Sequence, residues 1–135
     1  MKVVLDTNVI VSAVLTAHGI CAQILDMLTE GVFGMYVDDR ILAEYDSVLH
    51  RPRLHLVPDD AAELMEWIRL VAEPVGAVPL PAKLPDPGGM PFLEVAASAG
   101  AILITGNARH YPKRSRRGVT VLSPREFLEL LRRSP

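Results

Sequence analysis

Apolar residues in this chain fall into two kinds of run that alternate. Val3-Val4-Leu5 and Ala101-Ile102-Leu103-Ile104-Thr105 are short, continuous and largely β-branched, as in strands buried on both faces of a parallel sheet. Val32 to Val37 and Val119 to Leu122 read as weaker strands. Residues 75–80 predict a third strand in chain order, confined to an edge by Gly76, Pro79 and Pro81. Between these runs the apolar spacing turns helical. Val9, Ile10, Ala13 and Val14 mark a first helix, capped by Thr7 or Asn8. A second runs from about Ile20 to Glu30 and ends at Gly31. A third runs from Ile41 to about His50, capped by Asp38 or Asp39 and stopped at Arg51-Pro52. Pro58 to about Glu73 predicts a long amphipathic helix with Leu64, Trp67, Ile68 and Val71 inward. Phe92 to Ser98 is a shorter one, and Ser123-Pro124-Arg125-Glu126 opens a last helix that runs to about Arg133. The alternation predicts a single domain over residues 1–135, a three-layer α/β/α sandwich around a mostly parallel sheet.

Composition narrows the function without naming it. Half of the 135 residues are apolar and 22% are charged, so the chain can build a core. A net charge of -2 excludes a basic nucleic-acid binder that works through its whole surface; such binding would need a local patch. One cysteine, Cys21, excludes an internal disulfide and a cysteine-based zinc site. No apolar run approaches the length of about 20 residues that spans a membrane. The expectation is a cytoplasmic protein with no membrane partner.

The candidate chemistry lies where the strands end. In a parallel sheet the segments after each strand share one edge, where ligands bind. Asp6 follows the first strand, Glu44 sits on the helix after the second, Asp86 follows the third, and Asn107 follows the fourth. Each acid also has a plain structural explanation. Asp6 can simply cap a helix, and Glu44, beside the apolar stripe of Ile41, Tyr45 and Val48, can be a solvated edge or half of an i,i+4 pair. Together, three carboxylates at one edge would repel unless a divalent cation joined them. Mg²⁺ or Mn²⁺ prefers such hard oxygen ligands and can assist in-line attack on a phosphodiester.

Four motifs in order strengthen this reading: Asp6-Thr7-Asn8-Val9, Ile41-Leu42-Ala43-Glu44-Tyr45 with Arg51-Pro52, Asp86-Pro87 before Phe92-Leu93, and Thr105-Gly106-Asn107 with Arg109-His110-Tyr111-Pro112. With them the chain resembles the PIN-domain family over nearly its whole length, most closely the PIN toxins of prokaryotic toxin–antitoxin pairs. The resemblance implies a Mg²⁺- or Mn²⁺-dependent ribonuclease acting on RNA, usually a homodimer, neutralised by a small antitoxin protein. It carries metal-site roles over to Asp6 and Glu44, with Thr105 and Asn107 nearby; the convergence at the sheet edge adds Asp86 as a third catalytic and metal-site acid, although the family's usual acid can also align with Gly89, and Thr7 and Asn8 in support. The chain departs from the family pattern twice. Gly88-Gly89 stand where acids usually follow Asp86-Pro87, and Asn107 stands where an acid often follows the fourth strand. Two or three carboxylates therefore remain in place of four. That opens a second reading: a degenerate module that binds RNA or an antitoxin with little or no catalysis.

The remaining candidates divide by charge. Arg109, Lys113, Arg114, Arg116 and Arg117 form a basic stretch after the fourth strand, suited to holding an RNA backbone or equally to a solvated loop. His110 can contact phosphate or be structural, and His18, His50 and His55 lack metal-ligand spacing. Trp67 and Cys21 read as packing. A phosphoacceptor receiver domain would also set an acid on a central strand, but the acidic pair and late lysine it needs are not evident.

Overall fold

The apolar runs become the strands they predict. β1 (Lys2–Leu5) leads into α1 (Thr7–Leu15), and α2 (Ile20–Thr29) into β2 (Gly34–Val37). α3 (Asp39–Leu49) and α4 (Pro58–Val71) precede β3 (Glu73–Pro74). α5 (Met90–Ala99) precedes β4 (Ile102–Ile104), and β5 (Val121–Leu122) precedes α6 (Pro124–Arg133). The structure is a computed structural model that describes residues 1–133. Its sheet has the order β3-β2-β1-β4-β5, and every pairing is parallel. β1 and β4 are central neighbours, with Leu5 opposite Ile104. Parallel strands need crossover helices, and these bury both sheet faces to give the three-layer sandwich. Val3, Val4, Leu5, Leu103 and Ile104 are accordingly all without solvent exposure. α5 lies against β1, β2 and β4, and α2 packs on α6. Phe33 meets Phe127 edge-on, their ring centres 5.1 Å apart. Among the described residues no helix is long and apolar enough to cross a membrane.

Two expectations need correction. Asp6, rather than Thr7 or Asn8, caps α1: its Oδ1 accepts the Thr7 N–H at 2.8 Å. The third strand is Glu73–Pro74, and residues 75–80 leave the ladder after Val75 donates to the Val37 carbonyl. Beyond that point the donors turn toward α5: Val78 N–H reaches Ser98 Oγ at 3.0 Å, and Leu80 N–H reaches Glu94 Oε2 at 2.8 Å. Prolines at 79 and 81 cannot extend a ladder, so the segment runs as a strap. On α4 the fully buried face is Ala61, Met65 and Ile68, while Leu64, Trp67 and Val71 are half-buried and Leu70 is 83% exposed. All four expected residues pack on the core, whose deepest contacts from this helix are Ala61, Met65 and Ile68.

A buried charge holds the strap. Glu94 is only 7% exposed, and its Oε1 lies 2.7 Å from Arg40 Nη1. Arg40 also meets Asp38, the cap of α3, at 2.7 Å. One carboxylate thus joins α5, the strap and the start of α3, the helix that carries Glu44.

Candidate active site

The most constrained acid is Asp6. It leaves β1 at the sheet's carboxyl edge, its N–H donates to the Ile104 carbonyl, and it is 8% exposed. Three donors converge on its carboxylate. Thr7 N–H reaches Oδ1, while the Thr105 hydroxyl at 2.8 Å and the Tyr111 hydroxyl at 3.1 Å both reach Oδ2. Burial raises the Asp6 carboxyl above the ordinary aspartate range; the bonds from Thr105, Tyr111 and Thr7 and the nearby His110 oppose that rise without cancelling it. Thr105 has no freedom to turn away. Its oxygen accepts from Asn107 N–H at 3.1 Å and from Asn8 Nδ2 at 3.4 Å, so both lone pairs are engaged and its proton is directed to Asp6. Asn8 Oδ1 in turn accepts the Gly106 N–H at 2.9 Å, tying the ends of β1 and β4 together.

Glu44 approaches from α3. The Thr7 hydroxyl donates to Glu44 Oε2 while the Thr7 N–H donates to Asp6, so one threonine binds both carboxylates. The next residue, Tyr45, is fully buried and donates its hydroxyl to the Leu5 carbonyl. Burial, and then the charges of Asp6 and Glu44, push that phenol far above its usual pKa, so it remains a donor. Helical spacing explains the pairing: position 44 meets the pocket while position 45 points into the core.

These acids line an open pocket of about 540 Å³. Asp86 lies at its exposed rim, where its Oδ1 accepts the Gly88 N–H at 2.9 Å and starts the turn Pro87–Gly89. The fit to a divalent cation is decided by the donors. Among the described residues no group of three or more His, Cys, Asp or Glu side chains is placed to hold a metal ion. The predicted trio of Asp6, Glu44 and Asp86 therefore shares a pocket without forming a three-carboxylate cluster, because Asp86 is committed to a turn at the rim. Asp6 and Glu44 do fit the smaller requirement of Mg²⁺, which commonly binds one or two carboxylates and keeps several waters.

The cations are not where the basic stretch suggested. Arg51 and Arg53, just beyond α3, line the pocket; Arg109, Lys113, Arg114, Arg116 and Arg117 do not. Arg109, Lys113 and Arg114 lie exposed outside it. Arg116 Nε donates to the Tyr111 carbonyl at 2.7 Å, and Arg117 Nη2 donates to the Pro81 carbonyl at 2.5 Å, so both fasten loops. His110 does reach the pocket, and its Nε2 lies 3.0 Å from Asn107 Nδ2. Tyr111 went unnoticed as a site residue. The signal available was the Gly88-Gly89 pair, which removes side-chain volume beside the acids; for Arg51 and Arg53 it was two cations directly after the Glu44 helix.

A family model for the PIN domain matches residues 2–109. The chain is 28% identical over 141 residues to uncharacterized protein MJ1680 of Methanocaldococcus jannaschii, covering 96% of this chain and 90% of that one. Its fold resembles that of VapBC2 from Rickettsia felis, solved bound to a DNA fragment from its promoter, with a TM-score of 0.64 at 14% identity over 91% of this chain and 98% of that one. VapBC-1 from nontypeable Haemophilus influenzae gives the same TM-score and identity, over 93% and 99% of the two chains.

Proposed function

We propose, from the premise that this chain belongs to the PIN-domain family, a family of nucleases, that it is a divalent-cation-dependent endoribonuclease and the toxin of a toxin–antitoxin pair. The observation that carries this reading is the sharing of Thr7 by Asp6 and Glu44 inside a pocket that Arg51 and Arg53 also line. Two acids held that close gain from a cation between them, and two cations beside them suit a polyanionic chain. Mg²⁺ or Mn²⁺, when bound, would neutralise phosphodiester charge and lower the pKa of an attacking water.

The chain's own residues do the rest. Asp6 and Glu44 would hold the cation, fixed through Thr7, Thr105 and Tyr45. Arg51 and Arg53 bind the RNA backbone across the pocket mouth. His110 faces the bound strand, where it contacts phosphate, while Asp86 serves the turn at the rim. The VapBC structures share this fold, and they support a small antitoxin protein as the partner. A homodimer is part of the same reading, with the exposed Leu70 on α4 as a contact, and light scattering at tens of micromolar protein checks it.

The missing third ligand favours a second reading, a module that binds RNA or an antitoxin with little turnover. One assay separates the two: cleavage of labelled single-stranded RNA by the parent and Asp6→Asn, in Mg²⁺, Mn²⁺ or EDTA. Cleavage that needs the ion and is lost in Asp6→Asn supports the nuclease. RNA binding without cleavage in any ion supports the module.

A further inference from the structure

Gly89 and Tyr111 fit each other. A Cβ on Gly89 would lie 3.0 Å from both Cε1 and the hydroxyl of Tyr111 and 3.1 Å from Cζ, tighter than nearly all such contacts, so the ring would have to give by a few tenths of an ångström. The backbone at 89 is ordinary, with φ at -78°, so it is the ring and not the chain conformation that favours glycine there. The ring has no retreat: Tyr111 is 1% exposed, Arg116 holds its carbonyl, and its hydroxyl is on Asp6.

The consequence lies in the lone pairs of Asp6. A carboxylate offers about four acceptor positions. Thr105 and Tyr111 fill both on Oδ2, and Thr7 fills one on Oδ1. One acceptor position remains, on Oδ1. A second cation drawn to Oδ2 would have to displace a hydroxyl, and Thr105 is pinned by Asn8 and Asn107. We propose that Tyr111, seated in the space left by Gly89, restricts Asp6 to a single divalent cation ligated through Oδ1. This rests on the metal-dependent reading above and adds the number of ions and the residue that sets it. Tyr111 is a positioning residue here, acting through Asp6.

The test is Mn²⁺ uptake by the full chain, read by electron paramagnetic resonance of free Mn²⁺ and by calorimetry. The parent should bind one ion. Tyr111→Phe should admit a second, or bind the first about fivefold tighter because the carboxylate loses a hydrogen bond that withdraws its charge. Gly89→Ala, which pushes the ring off Asp6, should shift binding the same way; thermal melts in EDTA confirm that each variant is folded. If Gly89→Ala fails to fold, Tyr111→Phe decides alone. One ion in the parent with unchanged stoichiometry and affinity in folded Tyr111→Phe overturns the proposal and leaves the nuclease reading standing. Two ions in the parent also overturn it. No uptake by the parent overturns both.

Discussion

Tyr45, the residue after Glu44, donates its hydroxyl to the carbonyl of Leu5, the residue before Asp6. α3 and β1 are thus tied one position away from each acid, inside the core. Tyr45→Phe removes the donor and leaves a buried carbonyl unpaired, at a cost of about 1–3 kcal/mol in urea denaturation. Misplacing one acid against the other costs rate more than substrate binding. RNA cleavage should lose about tenfold in kcat with KM little changed, measured under single-turnover and steady-state conditions.

Asp6→Asn should remove activity and still not destabilise the fold. Burial raises the folded-state pKa of Asp6 above its unfolded value. Between the two values the folded chain keeps a proton that the unfolded chain releases, so stability falls as pH rises through that interval. At neutral pH the full cost is present, and the uncharged amide escapes it. In EDTA at pH 7 the variant should melt at or a few degrees above the parent, with the gap closing below about pH 4. Added Mg²⁺ or Mn²⁺ should reverse the order, because an ion that binds only the parent raises its stability by about 2.7 kcal/mol at 100 times its Kd. A parent that gains nothing from the ion counts against Asp6 as a ligand.

Glu44→Gln should be about as damaging as Asp6→Asn, whereas Asp86→Asn should change cleavage by no more than about threefold, because Asp86 is an exposed turn residue outside any three-acid group. Gly89→Asp, which restores an acid to the family pattern, should give no gain, since its Cβ meets the Tyr111 ring. A rate increase in Gly89→Asp would show that the ring yields.

Arg51 and Arg53 line the pocket, so Arg51→Ala with Arg53→Ala should raise KM for RNA and reduce the salt dependence of binding. For single-stranded RNA the slope falls by about 0.7 per lost phosphate contact. Lys113→Ala with Arg114→Ala, outside the pocket, is the control and should leave both unchanged. Equal effects from the two pairs would return the exposed stretch to the RNA path.

What was legible in the sequence follows from the range of each interaction. The two buried β-branched runs declared the central strands and their parallel setting, because burial on both faces leaves no polar alternation. Asp6-Thr7-Asn8 and Glu44 were legible as acids at strand and helix positions facing one edge. Glu94 was hidden because its partner Arg40 lies 54 positions away and nothing in the spacing of α5 announces it. Tyr111 was hidden for the same reason: the space it fills is vacated by a glycine in another segment. The third strand was misplaced because an extended, proline-rich segment looks like an edge strand, and only its partners, Ser98 and Glu94, show it to be a strap. Arg116 and Arg117 spend their charge on backbone carbonyls, a use that a run of basic residues does not show in sequence.

The hydroxyls that hold Asp6 come from residues 99 and 105 positions further along the chain, and β1 pairs with β4 rather than with a strand close to it in sequence. During synthesis, then, the first acid leaves the ribosome with none of its distant donors, and the central pair of strands closes only after residues 102–111 have emerged. Contacts so far apart form late in folding. A nascent chain shorter than this carries Asp6 and Glu44 but no assembled pocket, so whatever chemistry the pocket performs waits until residues 102–111 have emerged.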